Sequence, residues 1–231
     1  MSRYAAIHQP NFFPWLGYFN KIALADIFVL LDDAQHTKTG ANWSNRTRLL
    51  FAGGVRWLTA PIQRPDHGTE HVNQVKWADQ PWREKIVGSL ETHYRRAAHY
   101  RSAMALLRPL VENPEPALAA YNLHAIKAIA SALGLQTEFV LASQFGLCSS
   151  STQRLIDLTR ATGCGGYLAG GGSAGYQDDA LFAQAGLTLK FQSFVHPDYP
   201  QAGAREFTPG LSVMDALMHC GIARTSQLIV S

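Results

Sequence analysis

Three stretches of this chain carry side chains whose types and spacing could do chemistry on a small anionic substrate. The first is His8-Gln9-Pro10-Asn11, which sits between a short apolar run, Tyr4–Ile7, and Trp15–Ala25, where Leu16, Phe19, Ile22 and Ala23 recur at helical spacing. A histidine between a strand and a helix can move a proton or steady charge, and the helix that follows offers free N–H groups to an anion. A lone histidine more often only satisfies loop carbonyls. Gln9 and Asn11 beside it, held by Pro10 and Pro14, turn the balance toward a binding role, with Tyr18 one turn into the helix.

The second stretch closes the apolar run "DIFVLLDD" with Asp32 and Asp33 and continues through Lys38, Asn42, Asn45, Arg46 and Arg48. A carboxylate at a strand end can orient an amine, a ribose or a divalent cation. The cations and amides after it could neutralise phosphate, with arginine capable of a bidentate grip. The plainer alternative has one aspartate cap a turn while the cations form a solvated face. The third stretch is "YLAGGGSAGYQDD", in which Gly170, Gly171 and Gly172 follow a strand-like run and Tyr176 stands close behind. Glycines there let a backbone approach phosphate closely, although the spacing is neither G-x-G-x-x-G nor a Walker A loop, and a flexible turn fits it too. His196, in "HPDYPQ", follows the last strand-like run and could close over the same region. No metal site is expected: His67 and His71 have ligand spacing only on a helix, which Gly68 opposes.

The elements that must position these residues follow from periodicity. Strand, helix and a second strand open the chain; from position 137 onward, "TEFVLA", "GYLAG" and "TLKFQSF" alternate with helical runs at Thr152–Thr162, Asp178–Ala185 and Ser212–His219. Such alternation predicts an α/β fold with a mostly parallel, five-stranded, Rossmann-like sheet and right-handed crossovers. Residues 34–76 read as a small β-rich antiparallel insertion, with a hairpin turning at Ala52-Gly53-Gly54 and "HVNQVKW" as a third strand. Residues 79–133 read as a helical middle segment, its first helix capped by Asp79. The linkers are short, so positions 1–231 are expected to form a single domain. In parallel sheets of this kind ligands bind beyond the carboxyl ends of the strands, where all three polar stretches fall.

Composition narrows the partners. A net charge of +3 on 231 residues, with 47% apolar and 16% charged residues, suits a nucleotide or nucleotide-sugar substrate and is too weak and scattered for DNA. Three distant cysteines without a C-x-x-C pair, no secretory leader pattern and no apolar run long enough for a membrane span point to the cytoplasm. Nothing in the sequence addresses the oligomeric state.

The motifs "IHQPNFFPWLGYFNKI", "DDAQHTKTGANWSNRTRL" with "WLTAPI", "TQRLIDLTRATGCGGYLAGGGSAGYQDDALFAQAGL" and "HPDYPQ" with "LSVMDALMHCG", in that order over nearly the whole chain, resemble the WbqC-like family of bacterial O-antigen and surface-polysaccharide gene clusters. The resemblance implies a transferase that acylates a nucleotide-linked amino sugar with an amino acid such as glycine. A more distant likeness, at the level of fold, is to the HIGH-motif nucleotidylyltransferases. There a histidine pair stabilises a triphosphate; here the residue after Gly17 is Tyr18, so half of that device is absent. On these readings His8, Lys38 and Arg46 stabilise phosphate charge and Asp33 orients the amine or a Mg²⁺. Gln9, Asn11, Tyr18, Asp32, Asn42, Asn45, Gly170, Gly171, Gly172, Tyr176 and His196 shape the substrate site. ATP with Mg²⁺ is the expected activating pair on one route, and an aminoacyl-tRNA or thioester donor serves equally on another. Nucleotidyl transfer to a sugar phosphate, and a nucleotide- or sugar-binding protein without chemistry, are the competing readings.

Overall fold

The chain runs β1 (Tyr4–His8), α1 (Leu16–Ala23), β2 (Ile27–Leu30), then a hairpin of β3 (Arg46–Phe51) and β4 (Gly54–Thr59), then α2 (Trp82–Tyr94), α3 (Tyr100–Val111) and α4 (Leu118–Ala132). Alternation resumes with β5 (Glu138–Leu141), a 3₁₀ turn at Ala142–Phe145, α5 (Ser151–Ala161), β6 (Gly166–Ala169), α6 (Asp179–Gln184), β7 (Thr188–Phe191) and α7 (Val213–Val230). The computed structural model describes residues 2–36, 43–51, 54–63, 70–171, 177–201 and 206–230. Five strands form one sheet in the order β5-β2-β1-β6-β7, every neighbouring pair parallel, while β3 and β4 form a separate antiparallel pair. The expected α/β class, five-stranded parallel sheet and antiparallel insertion are all present.

The apolar runs of β2 and β6 are buried along their whole length, as strands covered on both faces must be. One face, with Ala6, Phe28, Leu30 and Leu168, packs with α1, the helical middle segment and α7. The other, with Ala5, Ile7, Val29, Tyr167 and Ala169, packs on α5 and α6. Strand order reverses at β1: β2 lies on one side of it and β6 on the other. The gap beyond the carboxyl ends of β1 and β6 is therefore the switch point at which such sheets form crevices.

Three local expectations are corrected. "HVNQVKW" makes only isolated bridges, Gln35 to His71, Ile62 to Trp77 and Lys76 to Ala117, so among the described residues the hairpin has two strands. Asp79 does not cap α2, which Pro81 precedes without a side-chain cap. The last helix is interrupted at Gly221 (φ 70°, ψ 176°), close to its expected end, but a further, unexpected helical run carries α7 on to Val230. A Cβ at Gly221 would come within 2.6 Å of the His99 ring, so the close approach as well as the backbone angle requires glycine.

The loop between β1 and α1 is held by other parts of the chain. Phe13 has φ 41°, a left-handed value that costs a bulky residue roughly 1–2 kcal/mol. Its carbonyl accepts hydrogen bonds from Thr47 Oγ1 (3.0 Å) and Ser212 Oγ (2.7 Å), and its ring is buried. Asn122 donates from α4 to the carbonyls of Pro10 (2.8 Å) and Ser44 (2.7 Å). The helical segment and the hairpin thus fix the position of the turn that follows His8.

Candidate functional site

A cavity of about 440 Å³ opens at the switch point between β1 and β6. Its floor and walls come from the end of β1 (His8), from α1 (Gly17, Tyr18, Lys21), from the end of β6 (Gly170, Gly171) and from the segment after β7 (Gln192, Phe194, His196). Trp15, Phe194 and Tyr167 supply aromatic surface. Gly17 is required sterically, because a Cβ there would lie 2.8 Å from Trp15 Nε1 and 3.0 Å from the Phe194 ring. At Gly170 and Gly171 a Cβ would meet only ordinary contacts, so these glycines leave the cavity open rather than permit a special backbone.

His8 has a fixed tautomer in its neutral form. Its Nδ1 lies 3.1 Å from the Gln9 carbonyl, which can only accept, so Nδ1 carries the proton and Nε2 keeps its lone pair. Burial, with the charge of Lys21 adding to it, lowers its pKa to about 3, so the ring is neutral at pH 7. Lys21 donates one ammonium proton to the Ile7 carbonyl at 2.8 Å, and burial lowers its pKa to about 8. Burial also lowers the pKa of His196. No carboxylate lines the cavity among the described residues, so its field is positive and suited to an anion.

Gln192 Nε2 donates to the Gly17 carbonyl (2.7 Å) and to Asn20 Oδ1 (2.6 Å), and Asn20 Nδ2 donates in turn to the Ile229 carbonyl (2.7 Å). Tyr18 donates its hydroxyl to the Gln9 carbonyl at 2.9 Å and packs edge-on against His8, with burial pushing its pKa up.

Of the residues singled out in the sequence, the cavity gathers His8, Tyr18, Gly170, Gly171 and His196. Gln9 and Asn11 are beside it in sequence but not in its lining; Asn11 is buried. Asp33 lines a different cavity, of about 430 Å³, beyond the ends of β2 and β5, and pairs there with Arg154 at 2.5 Å. Asp32 is buried and accepts from Ser143 N (3.0 Å), Ser143 Oγ (2.6 Å) and Asn73 Nδ2 (3.4 Å), which ties the 3₁₀ turn to the end of β2. Asn45 donates to the Ala60 carbonyl at 2.9 Å at the base of the hairpin, and Arg46 stacks over Trp57, 4.3 Å from the ring centre. Lys38, Asn42, Gly172 and Tyr176, like His67, lie outside the described residues.

The sequence reading did not single out Lys21 and Gln192. Lys21 stands four residues after Gly17 and three after Tyr18, the spacing that puts all three on one face of α1. Gln192 was hidden by reading its strand through Phe194; β7 ends at Phe191, which leaves Gln192 just past the carboxyl edge.

The chain matches the WbqC-like protein family over residues 9–227. It is also 30% identical over 223 residues to the uncharacterized protein Rv1507c of Mycobacterium tuberculosis, an alignment covering 94% of this chain and 93% of that one. No solved structure matches it. No helix among the described residues is long and apolar enough to cross a membrane. With its motifs distributed over both halves of the sheet and the match running nearly end to end, the chain belongs to the WbqC-like protein family.

Proposed function

We propose that this protein is a transferase of bacterial surface-polysaccharide biosynthesis, passing an activated amino-acyl group such as glycyl to the amine of a nucleotide-linked amino sugar. One observation carries the reading: at the switch point of the sheet, a neutral histidine with an available Nε2 lone pair shares a cavity with a buried lysine ammonium. Base and cation are the two groups that acyl transfer to an amine needs. The amine nitrogen attacks the acyl carbonyl carbon and a C–N bond forms. Lys21 steadies the charge that develops on the carbonyl oxygen. His8 Nε2 takes the proton lost by the amine as the bond from the acyl carbon to its carrier oxygen or sulfur breaks, and returns it to that leaving atom. Trp15 and Phe194 offer apolar faces to a sugar ring.

An adenylating route with ATP and Mg²⁺ fits this cavity poorly, because none of its described lining residues is a carboxylate and Asp33 is paired elsewhere. The donor favoured here is therefore already activated, as an aminoacyl-tRNA or a thioester. Nucleotidyl transfer is less well supported, since the Tyr18 hydroxyl, at the place of the second histidine of HIGH-motif enzymes, is spent on the Gln9 carbonyl.

The test is to incubate the protein with glycyl donors and a panel of nucleotide-linked amino sugars and to follow product mass. Gain of one glycyl group, lost in His8→Ala, is the expected result. Pyrophosphate release from ATP without glycyl gain would replace this reading with nucleotidyl transfer, and ligand binding without any product would replace it with a binding protein.

A further inference from the structure

A primary amine differs from a hydroxyl in the number of hydrogens it can offer, and the cavity offers two distinct acceptors. His8 Nε2 is one. The other follows from a chain of hydrogen bonds with a single consistent direction. The Ile229 carbonyl can only accept, so Asn20 must turn its Nδ2 toward it and present Oδ1 to Gln192. Gln192 must then turn its own Nε2 toward Asn20 Oδ1, and the second hydrogen of that nitrogen goes to the Gly17 carbonyl. Both donor hydrogens of the Gln192 amide are committed, and its orientation is set from outside the cavity. What remains is Oε1, an acceptor without a partner among the described residues, on a side chain that lines the cavity, and it is not among the polar atoms sealed from solvent.

We infer that Gln192 is the acceptor-specificity residue of this site: its Oε1 receives one N–H of a primary amine whose other N–H faces His8 Nε2, so the cavity selects an amino sugar over the corresponding hydroxyl sugar. The inference rests on the reading that the cavity takes the acceptor. It adds the reason for a preference: a hydroxyl has one hydrogen and leaves one of the two acceptors unmet, and discrimination by unmet buried polar groups is steep. Lys21, which lines the same cavity, is held to the Ile7 carbonyl and serves the anionic part of the ligand.

The measurement is the affinity of the whole protein, by calorimetry, for a nucleotide-linked 2-amino sugar and for its 2-hydroxy counterpart. Wild type is expected to prefer the amine by roughly 5- to 100-fold, the range set by leaving one acceptor unmet when the site closes on the ligand. Gln192→Met, close in volume and without the acceptor, should bring the two affinities together. A merely structural role for Gln192 would weaken binding of both sugars by the same factor in this variant and leave their ratio unchanged, so the ratio and not the affinity is the deciding readout. Thermal melting checks that the variant is folded. Equal affinities in wild type, an undiminished preference in Gln192→Met, or no binding of either sugar overturns the inference. Because the readout is binding, a preference seen without glycyl transfer would leave Gln192 as the selector and remove the transferase reading, whereas transfer with no preference would do the reverse.

Discussion

Two cavities of nearly the same size, about 440 and 430 Å³, open along one edge of the sheet, and polar residues from the sequence motifs fall in both. They differ in what those residues have left to offer. In the cavity beyond β2 and β5, Asp33 Oδ2 is paired with Arg154, which also donates to the carbonyls of Leu147 (2.6 Å) and Ser149 (3.3 Å). Neighbouring Asp32 is taken up by Ser143 and Asn73. The atoms there without partners, Asp33 Oδ1 and Ser149 Oγ, are shut away from solvent. In the cavity beyond β1 and β6, His8 Nε2, Gln192 Oε1 and two of the three Lys21 protons have no hydrogen-bond partner among the described residues. The lesson is that residue type does not separate a site from a brace. Counting which donors and acceptors are already used does.

The largest expected contrast is in turnover. His8→Ala should lower kcat/KM for glycyl transfer by about 10²-fold, the low end of a general base's contribution because a ring with its pKa lowered to about 3 is a weak base, while Asp33→Asn stays within a few-fold of wild type. Steady-state kinetics on the two variants tests the division directly; comparable losses would merge the two cavities into one site. The reverse pattern is expected for stability. Arg154→Ala strips Asp33 of its partner and should cost about 1–3 kcal/mol in urea denaturation, less than a fully buried pair because each side chain is 18% exposed. His8→Gln should cost less than that.

Smaller effects should follow pH. Lys21 loses its charge as pH rises through about 8, well below its ordinary 10.5, so affinity for an anionic nucleotide should fall on the order of tenfold between pH 7 and 9. Lys21→Met should bind more weakly at pH 7 and show a flat profile by titration calorimetry. His8 sets the acid side of stability. The unfolded chain binds its proton near pH 6.5 and the native one only near 3, so between those values the unfolded state holds more protons and stability falls as pH is lowered. Because His8 lines a cavity open to water, the loss should be about 1–2 kcal/mol, less than the full shift implies. His8→Gln should remove that slope in chemical denaturation at pH 4 to 7, whereas Asp33→Asn should leave it in place.

Much of the fold was legible because burial imposes a pattern. β2 and β6 are covered on both faces and read as continuous apolar runs, and glycines mark the ends of α4, α5 and α6. "HVNQVKW" misled because β-like composition states a preference for extended backbone without naming a partner strand, and here the segment bridges piecemeal to Gln35, Ile62 and Ala117. Within the site, His8 could be found from its place at a strand end, and Lys21 from the spacing of one helix face. Gln192 could not: its role depends on a chain of hydrogen bonds to residues 172 and 175 positions away. Asp32 and Asp33 are the opposite case. They have the right chemistry at the right edge, and only the folded chain brings up Ser143 and Arg154 to use it.

The kink at Gly221 has a practical consequence for anyone altering the protein. It carries the last turns of α7 to α1, where the Ile229 carbonyl sets the orientation of Asn20 and, through it, of Gln192. The run 222–230 is thus a remote control for the pocket. Random substitution across residues 222–230 is a route to new substrate tolerance that leaves the reacting groups untouched.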